Sequence, residues 1–138
     1  MIGAVIAGTL WACSGAKPCV DCPAIEGAYV VSWLAPDSTT SCGAGAQGPQ
    51  PSALNFTREG STVRTLVGGF ELAGTLYDTY DFTVSGGNVS VAYSMAGRLV
   101  PVDPITDAGI RLQGSMTTTL PDGGSSCQII ERFNATKL

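Results

Sequence analysis

Five cysteines and no histidine set the chemistry open to this 138-residue chain. Cys13 stands apart from the others, closing the stretch Leu10, Trp11, Ala12, Cys13 at the end of an uncharged apolar run that begins at Ile2. The remaining Cys19, Cys22, Cys42 and Cys127 are an even number in a small chain, the pattern of two disulfides formed in an oxidising compartment. Cys19-Val20-Asp21-Cys22 has dithiol redox spacing, but that chemistry wants the pair at the start of a helix, and no helix is legible there. Pro23 stands where haem attachment would need a histidine, and a four-cysteine zinc site would compete with oxidation. We therefore expect neither metal nor cofactor.

Catalytic groups are equally scarce. Without histidine, a nucleophilic serine would need a lysine or carboxylate as its base, and Lys17 and Lys137 fall near the two ends of the chain. Asp78 and Asp81 form a close acid pair among aromatic residues, Tyr77 and Tyr80. A sugar or calcium site could use such a cluster. The commoner origin of such a cluster is a hairpin turn, with Asp78 in the turn and Asp81 alternating outward from Tyr80 and Phe82. No residue is assigned a catalytic role, and a non-enzymatic protein is expected.

An apolar residue at −3 and a small one at −1 before a cysteine, here Leu10 and Ala12 before Cys13, resemble the processing site of a bacterial lipoprotein precursor. The resemblance implies a signal peptide over residues 1–12, cleavage before Cys13, and acylation (palmitate or a similar chain) of its thiol and new amino group. The mature protein would then be secreted and held to a membrane, since two or three acyl chains anchor stably where one binds marginally. Ser14 replaces the Asp that retains some lipoproteins at the inner membrane, which by analogy points to the outer membrane, on its periplasmic or surface face. A secretory signal normally opens with positive charge, and no Lys or Arg precedes this run, so the true start codon is expected upstream of Met1. The run is shorter than the ~20 apolar residues of a spanning helix. The alternative is an ordinary buried strand or helix over residues 1–12 with a chance cysteine.

A net charge of −4 provides no basic footprint for nucleic acid and no polybasic patch for anionic lipid. Charged residues are few and Gly, Thr and Ser abundant, with Val, Tyr and Phe spaced among them, which favours strands joined by tight turns. Residues 13–26 read as a lipidated tether and 27–138 as one domain. From Gly27 the pattern alternates with period two, predicting eight strands: 27–34, 54–58, 61–67, 69–77, 79–85, 88–96, 108–119 and 125–137. Two long loops, 35–52 and 97–107, interrupt them, the second carrying Pro101 and Pro104. Three glycosylation sequons, at Asn55, Asn88 and Asn134, fall in these predicted strands and are discounted in a chain whose signal reads as bacterial.

Eight antiparallel strands either close into an up-and-down barrel or split into a β-sandwich. Gly27-Ala28-Tyr29 on the first strand and Arg132 near the end of the last resemble the Gly-x-Trp and arginine of lipocalin-like barrels, with Tyr29 in place of Trp. That resemblance implies an interior able to hold a small apolar ligand, against Tyr29, Trp33, Phe70, Phe82 and Tyr93; Gly74 and Gly114 fall at inward positions, where they either leave a narrow pocket between them or relieve strand bending in a packed barrel. Bulky inward residues, which also include Phe56, Tyr80, Met95, Met116 and Phe133, argue instead for a filled interior, because eight strands enclose only just enough width for one small guest. The rival role is then structural or interactive, with loops 35–52 and 97–107 presented to another envelope component. Closure also selects among the three possible disulfide pairings. The first and last strands become neighbours, so Cys42 meets Cys127 at one rim and Cys19 pairs with Cys22 at the other.

Overall fold

The computed structural model describes residues 16–34, 39–42, 48–100, 110–122 and 125–138, and among them the secondary structure is all β, with no helix. The strands are β1 (Gly27–Trp33), β2 (Thr39–Thr40), β3 (Ala53–Glu59), β4 (Thr62–Val67), β5 (Phe70–Leu76), β6 (Asp81–Gly87), β7 (Ala92–Val100), β8 (Arg111–Asp122) and β9 (Ser125–Lys137). Consecutive strands from β3 to β9 pair antiparallel, and β1 pairs with both β3 and β9. The sheet therefore closes into an eight-stranded up-and-down barrel, and the sandwich alternative does not occur. The two-residue β2 extends the seam, lying on β9 at Ile129 and Ile130 beyond the stretch of β9 that β1 covers. Closure leaves no long edge for intermolecular pairing in a sheet rich in Val and Thr.

Alternation sorts the side chains. Along β9, Cys127, Ile129, Glu131, Phe133 and Ala135 are buried while Gln128, Arg132, Asn134 and Thr136 are exposed. The buried set forms one continuous core running through every long strand, from Ile25 and Tyr29 to Phe133 and Ala135. Turns follow local chemistry: Gly68 and Gly69 both have positive φ (59° and 84°), the two-residue turn whose twist suits a hairpin.

Several expected boundaries move. The predicted loop 97–107 begins later, because β7 continues to Val100 and buries Leu99. Asp81, not Thr79, opens β6; Asp78 and Thr79 form the turn, and Tyr80, expected in the strand, holds a positive φ of 70° there and is only partly buried. Pro121 and Asp122 belong to β8 and not to the following turn, Pro121 lying past the last residue of β8 that pairs with β7 and so removing no donor from that ladder. Asn88 sits in the β6–β7 turn, outside any strand, its Oδ1 accepting the Ser90 and Val91 N–H groups.

The two long loops, expected to be presented to another envelope component, leave the barrel at opposite ends. One end carries the start of β1, the β3–β4, β5–β6 and β7–β8 connections and the end of β9; the other carries the end of β1, β2 and the β4–β5, β6–β7 and β8–β9 connections. Residues 39–42 and 48–52 of loop 35–52 are at the second end, whereas the end of β7 and the start of β8, which the β7–β8 loop joins, are at the first. Most of that β7–β8 loop, residues 101–109 with Pro101 and Pro104, lies outside the described residues.

Candidate functional site

The interior residues expected to hold a ligand are packed against one another. Tyr29 is fully buried, donates its hydroxyl to the Ile25 carbonyl at 2.6 Å and meets Phe56 edge-on at 5.6 Å. Phe56 in turn meets Phe82 at 5.6 Å, Trp33 meets Phe133 at 5.4 Å, and Phe70 meets Tyr93 at 5.7 Å. Gly74 and Gly114 leave no pocket. A Cβ on Gly74 would collide with the Thr83 carbonyl, and one on Gly114 with the Ala96 carbonyl, so both mark close approaches of neighbouring strands. Register explains their place: Phe82, Gly97, Gly114 and Phe133 are successive cross-strand partners, and a Cβ on Gly97 would stand 2.8 Å from the Phe82 ring. Small residues in this layer make room for the large ones beside them, as a filled barrel requires. Tyr29 and Arg132, which carry the lipocalin resemblance, lie on opposite faces of the sheet, Tyr29 inside and Arg132 exposed outside. Lys137 reaches the barrel end near Tyr29 instead, donating Nζ to the Ala24 carbonyl at 2.8 Å.

At the first end the segment read as a tether has contacts of its own. Pro18 bridges to Tyr77, Cys19 N–H donates to Leu76 O at 2.8 Å, and the Cys19–Cys22 disulfide spans Cα atoms 6.0 Å apart. Ile25 and Cys19 enter the core, making this an apolar closure. Asp78 Oδ1 accepts the Lys17 N–H at 3.3 Å and Asp81 Oδ2 the Thr79 hydroxyl at 2.8 Å, so both acids serve the turn, as the hairpin interpretation expected.

The second end is closed differently. Cys42 and Cys127 are bridged, their Cα atoms 5.0 Å apart, and Ser41 pairs its backbone with Gln128. The chain then crosses the mouth at residues 48–52. Trp33 Nε1 donates to Pro51 O at 2.9 Å, and Val31 N–H to Ser52 O at 2.9 Å. Beneath this crossing lies Glu131, 1% exposed and pointing into the barrel. Its Oε1 accepts the Gly48 N–H at 3.1 Å and its Oε2 the Gln50 side-chain amide at 2.5 Å. Thr118 is buried beside it with its hydroxyl unpartnered, and a Cβ on Gly48 would collide with both oxygens. Any larger residue at 48 would have to push one of these side chains aside.

Compared with known proteins, the chain matches no family model, no curated protein and no solved structure. Cys13 and the signal segment lie outside the described residues; among the described ones no helix is long and apolar enough to cross a membrane, and no three His, Cys, Asp or Glu side chains converge as a metal site would need. Main surface concavities are open grooves on the outer face, one beside the β6–β7 turn at Val89, Ala92 and Thr119, another along Ala96, Gln113 and Arg132. The polar cluster of Glu131, Thr118, Gly48 and Gln50 is the feature that sequence reasoning missed. Its signal was present, because the alternation that places Phe133 inward also places Glu131 inward.

Proposed function

We propose that this protein is a lipid-anchored, non-enzymatic barrel of the bacterial cell envelope, acting as a structural or protein-interaction module. The observation that carries this reading is the filled interior: Phe56, Phe82, Met95, Met116 and Phe133 are each at most 1% exposed and occupy the space a guest would need. Both barrel ends are also covered, by residues 16–26 at one and 48–52 at the other. Surfaces, and not a chamber, are then what the protein offers.

The anchor rests on the Leu10 to Cys13 sequence, and it fixes an orientation. Cys13 precedes Ala16 by three residues, a reach of at most ~11 Å, so the Cys19–Cys22 end faces the bilayer and the Cys42–Cys127 end faces away from it. Metabolic labelling with a clickable palmitate tests the anchor: Cys13→Ser is expected to lose the label and leave the membrane fraction, and equal labelling of variant and wild type would overturn it. Acyl and aromatic fluorescent probes test the interior. We expect no binding to the delipidated protein, whereas saturable binding would favour a small apolar ligand held inside the barrel.

A further inference from the structure

We propose that the mouth of the Cys42–Cys127 end is a binding site for a guanidinium group, occupied in this state by the chain's own Gly48 and Gln50. The inference deepens the interaction reading and rests on it only for which end meets a partner.

Glu131 is the anomaly that prompts it. Cross-strand pairing places it at the end of the row Val63, Gly74, Val84, Met95 and Met116, all apolar. A carboxylate buried to this depth is costly unless paired with a cation. Among the described residues no cation pairs with Glu131, and its two donors, the Gly48 N–H and the Gln50 amide, are both neutral. Their arrangement is informative. Each carboxylate oxygen takes one N–H, and two oxygens with one N–H apiece is the demand that the fork of a guanidinium also meets. Gly48 and Gln50 meet that demand with neutral donors. An ammonium is a point charge and does not span the two oxygens in this way.

Thr118 is a second, independent observation. Its Oγ1 is buried, has no hydrogen-bond partner, and faces the spot that Gly48 fills. Buried polar groups are rarely left unpaired. A guanidinium seated on Glu131 has N–H groups to spare after binding both carboxylate oxygens, and the Thr118 oxygen can accept one. Trp33, partly buried and bonded to Pro51 at the same mouth, offers an apolar wall for the alkyl stem. A ligand entering here displaces residues 48–50 from Glu131, so the segment is a built-in competitor.

Titration of the full chain, with both disulfides intact, against ethylguanidinium and against a blocked arginine tripeptide tests this by calorimetry. Gln50→Ala removes one competing donor and is expected to bind about tenfold tighter than wild type. Glu131→Gln is expected to abolish binding. Thr118→Val is expected to weaken it about tenfold while its melting temperature does not fall, which a purely structural role would not produce, and it remains decisive should Glu131→Gln fold poorly. A tripeptide preferred over ethylguanidinium assigns the site to an arginine of a partner protein; equal affinities assign it to a free guanidine, and either upholds the site. Failure of both probes to bind wild type and Gln50→Ala, or equal binding of ethylammonium, would overturn the proposal. Cys13→Ser leaves this binding intact, so the anchor and the site fail separately.

Discussion

The two ends of the barrel solve the same problem with opposite chemistry. At the Cys19–Cys22 end, Ile25 and Cys19 continue the core and backbone hydrogen bonds tie residues 17–19 to the β5–β6 turn. At the Cys42–Cys127 end, the cover is polar beneath, with Gly48 and Gln50 bonded to a buried carboxylate. An apolar plug gains from excluding water and discriminates little among shapes of similar volume. A buried carboxylate is expensive and directional, so the same closure could be made more stably without it. The difference separates an end built to stay shut from one that keeps a specific polar contact, and it places that contact away from the expected membrane side.

The disulfides give the largest expected contrast. Cys42–Cys127 encloses 85 residues and Cys19–Cys22 only three, so the chain-entropy model assigns about 4–5 kcal/mol to the first and about 2 kcal/mol to the second. Removing Cys42 and Cys127 together is therefore expected to lower the melting temperature much further than removing Cys19 and Cys22. Calorimetry on the two double alanine variants checks it, and equal losses would mean that the long bridge does not staple the seam. Ile25→Ala is next, expected to cost about 2–4 kcal/mol because a fully buried aliphatic leaves a cavity at the apolar end. A loss under about 1 kcal/mol in chemical denaturation would show that residues 16–26 are not part of the core.

Much of this was legible in the sequence. Alternation from Gly27 predicted eight strands, in a barrel or a sandwich, and closure into the barrel predicted both disulfide pairs, because neighbouring first and last strands leave each cysteine one partner at its own rim. What alternation could not see was the packing of residues 18–25, whose Pro- and Cys-rich stretch has no period, although Ile25 is wholly buried. Gly74 and Gly114 left two readings open, pocket or packed strand, for a related reason. An inward glycine reads as empty space in one dimension, whereas in a coiled sheet the neighbouring backbone moves into it. Glu131 was overlooked although its parity was plain, since what decides its meaning is the distant segment 48–50 that comes to lie over it.

Smaller effects sharpen the contrast at the polar end. Glu131→Leu extends the apolar row of the barrel and is expected to change stability by no more than about 1 kcal/mol, while amide exchange at residues 48–51 rises severalfold. Hydrogen exchange reads both, and unchanged protection of 48–51 would mean that Glu131 does not hold the crossing in place. Thr118→Val replaces an unpartnered buried hydroxyl with a methyl group and is expected to raise stability by about 1 kcal/mol. A clear loss in thermal denaturation would show that the hydroxyl has a partner in solution.

Native mass spectrometry of the protein extracted from its own membrane bears most directly on the central claim of an anchored barrel with a filled interior. The expected species is the chain beginning at Cys13, carrying covalent acyl groups and both disulfides, with no apolar small molecule released on activation. An apolar guest that dissociates from the intact barrel, or a chain without acyl groups, would contradict the account.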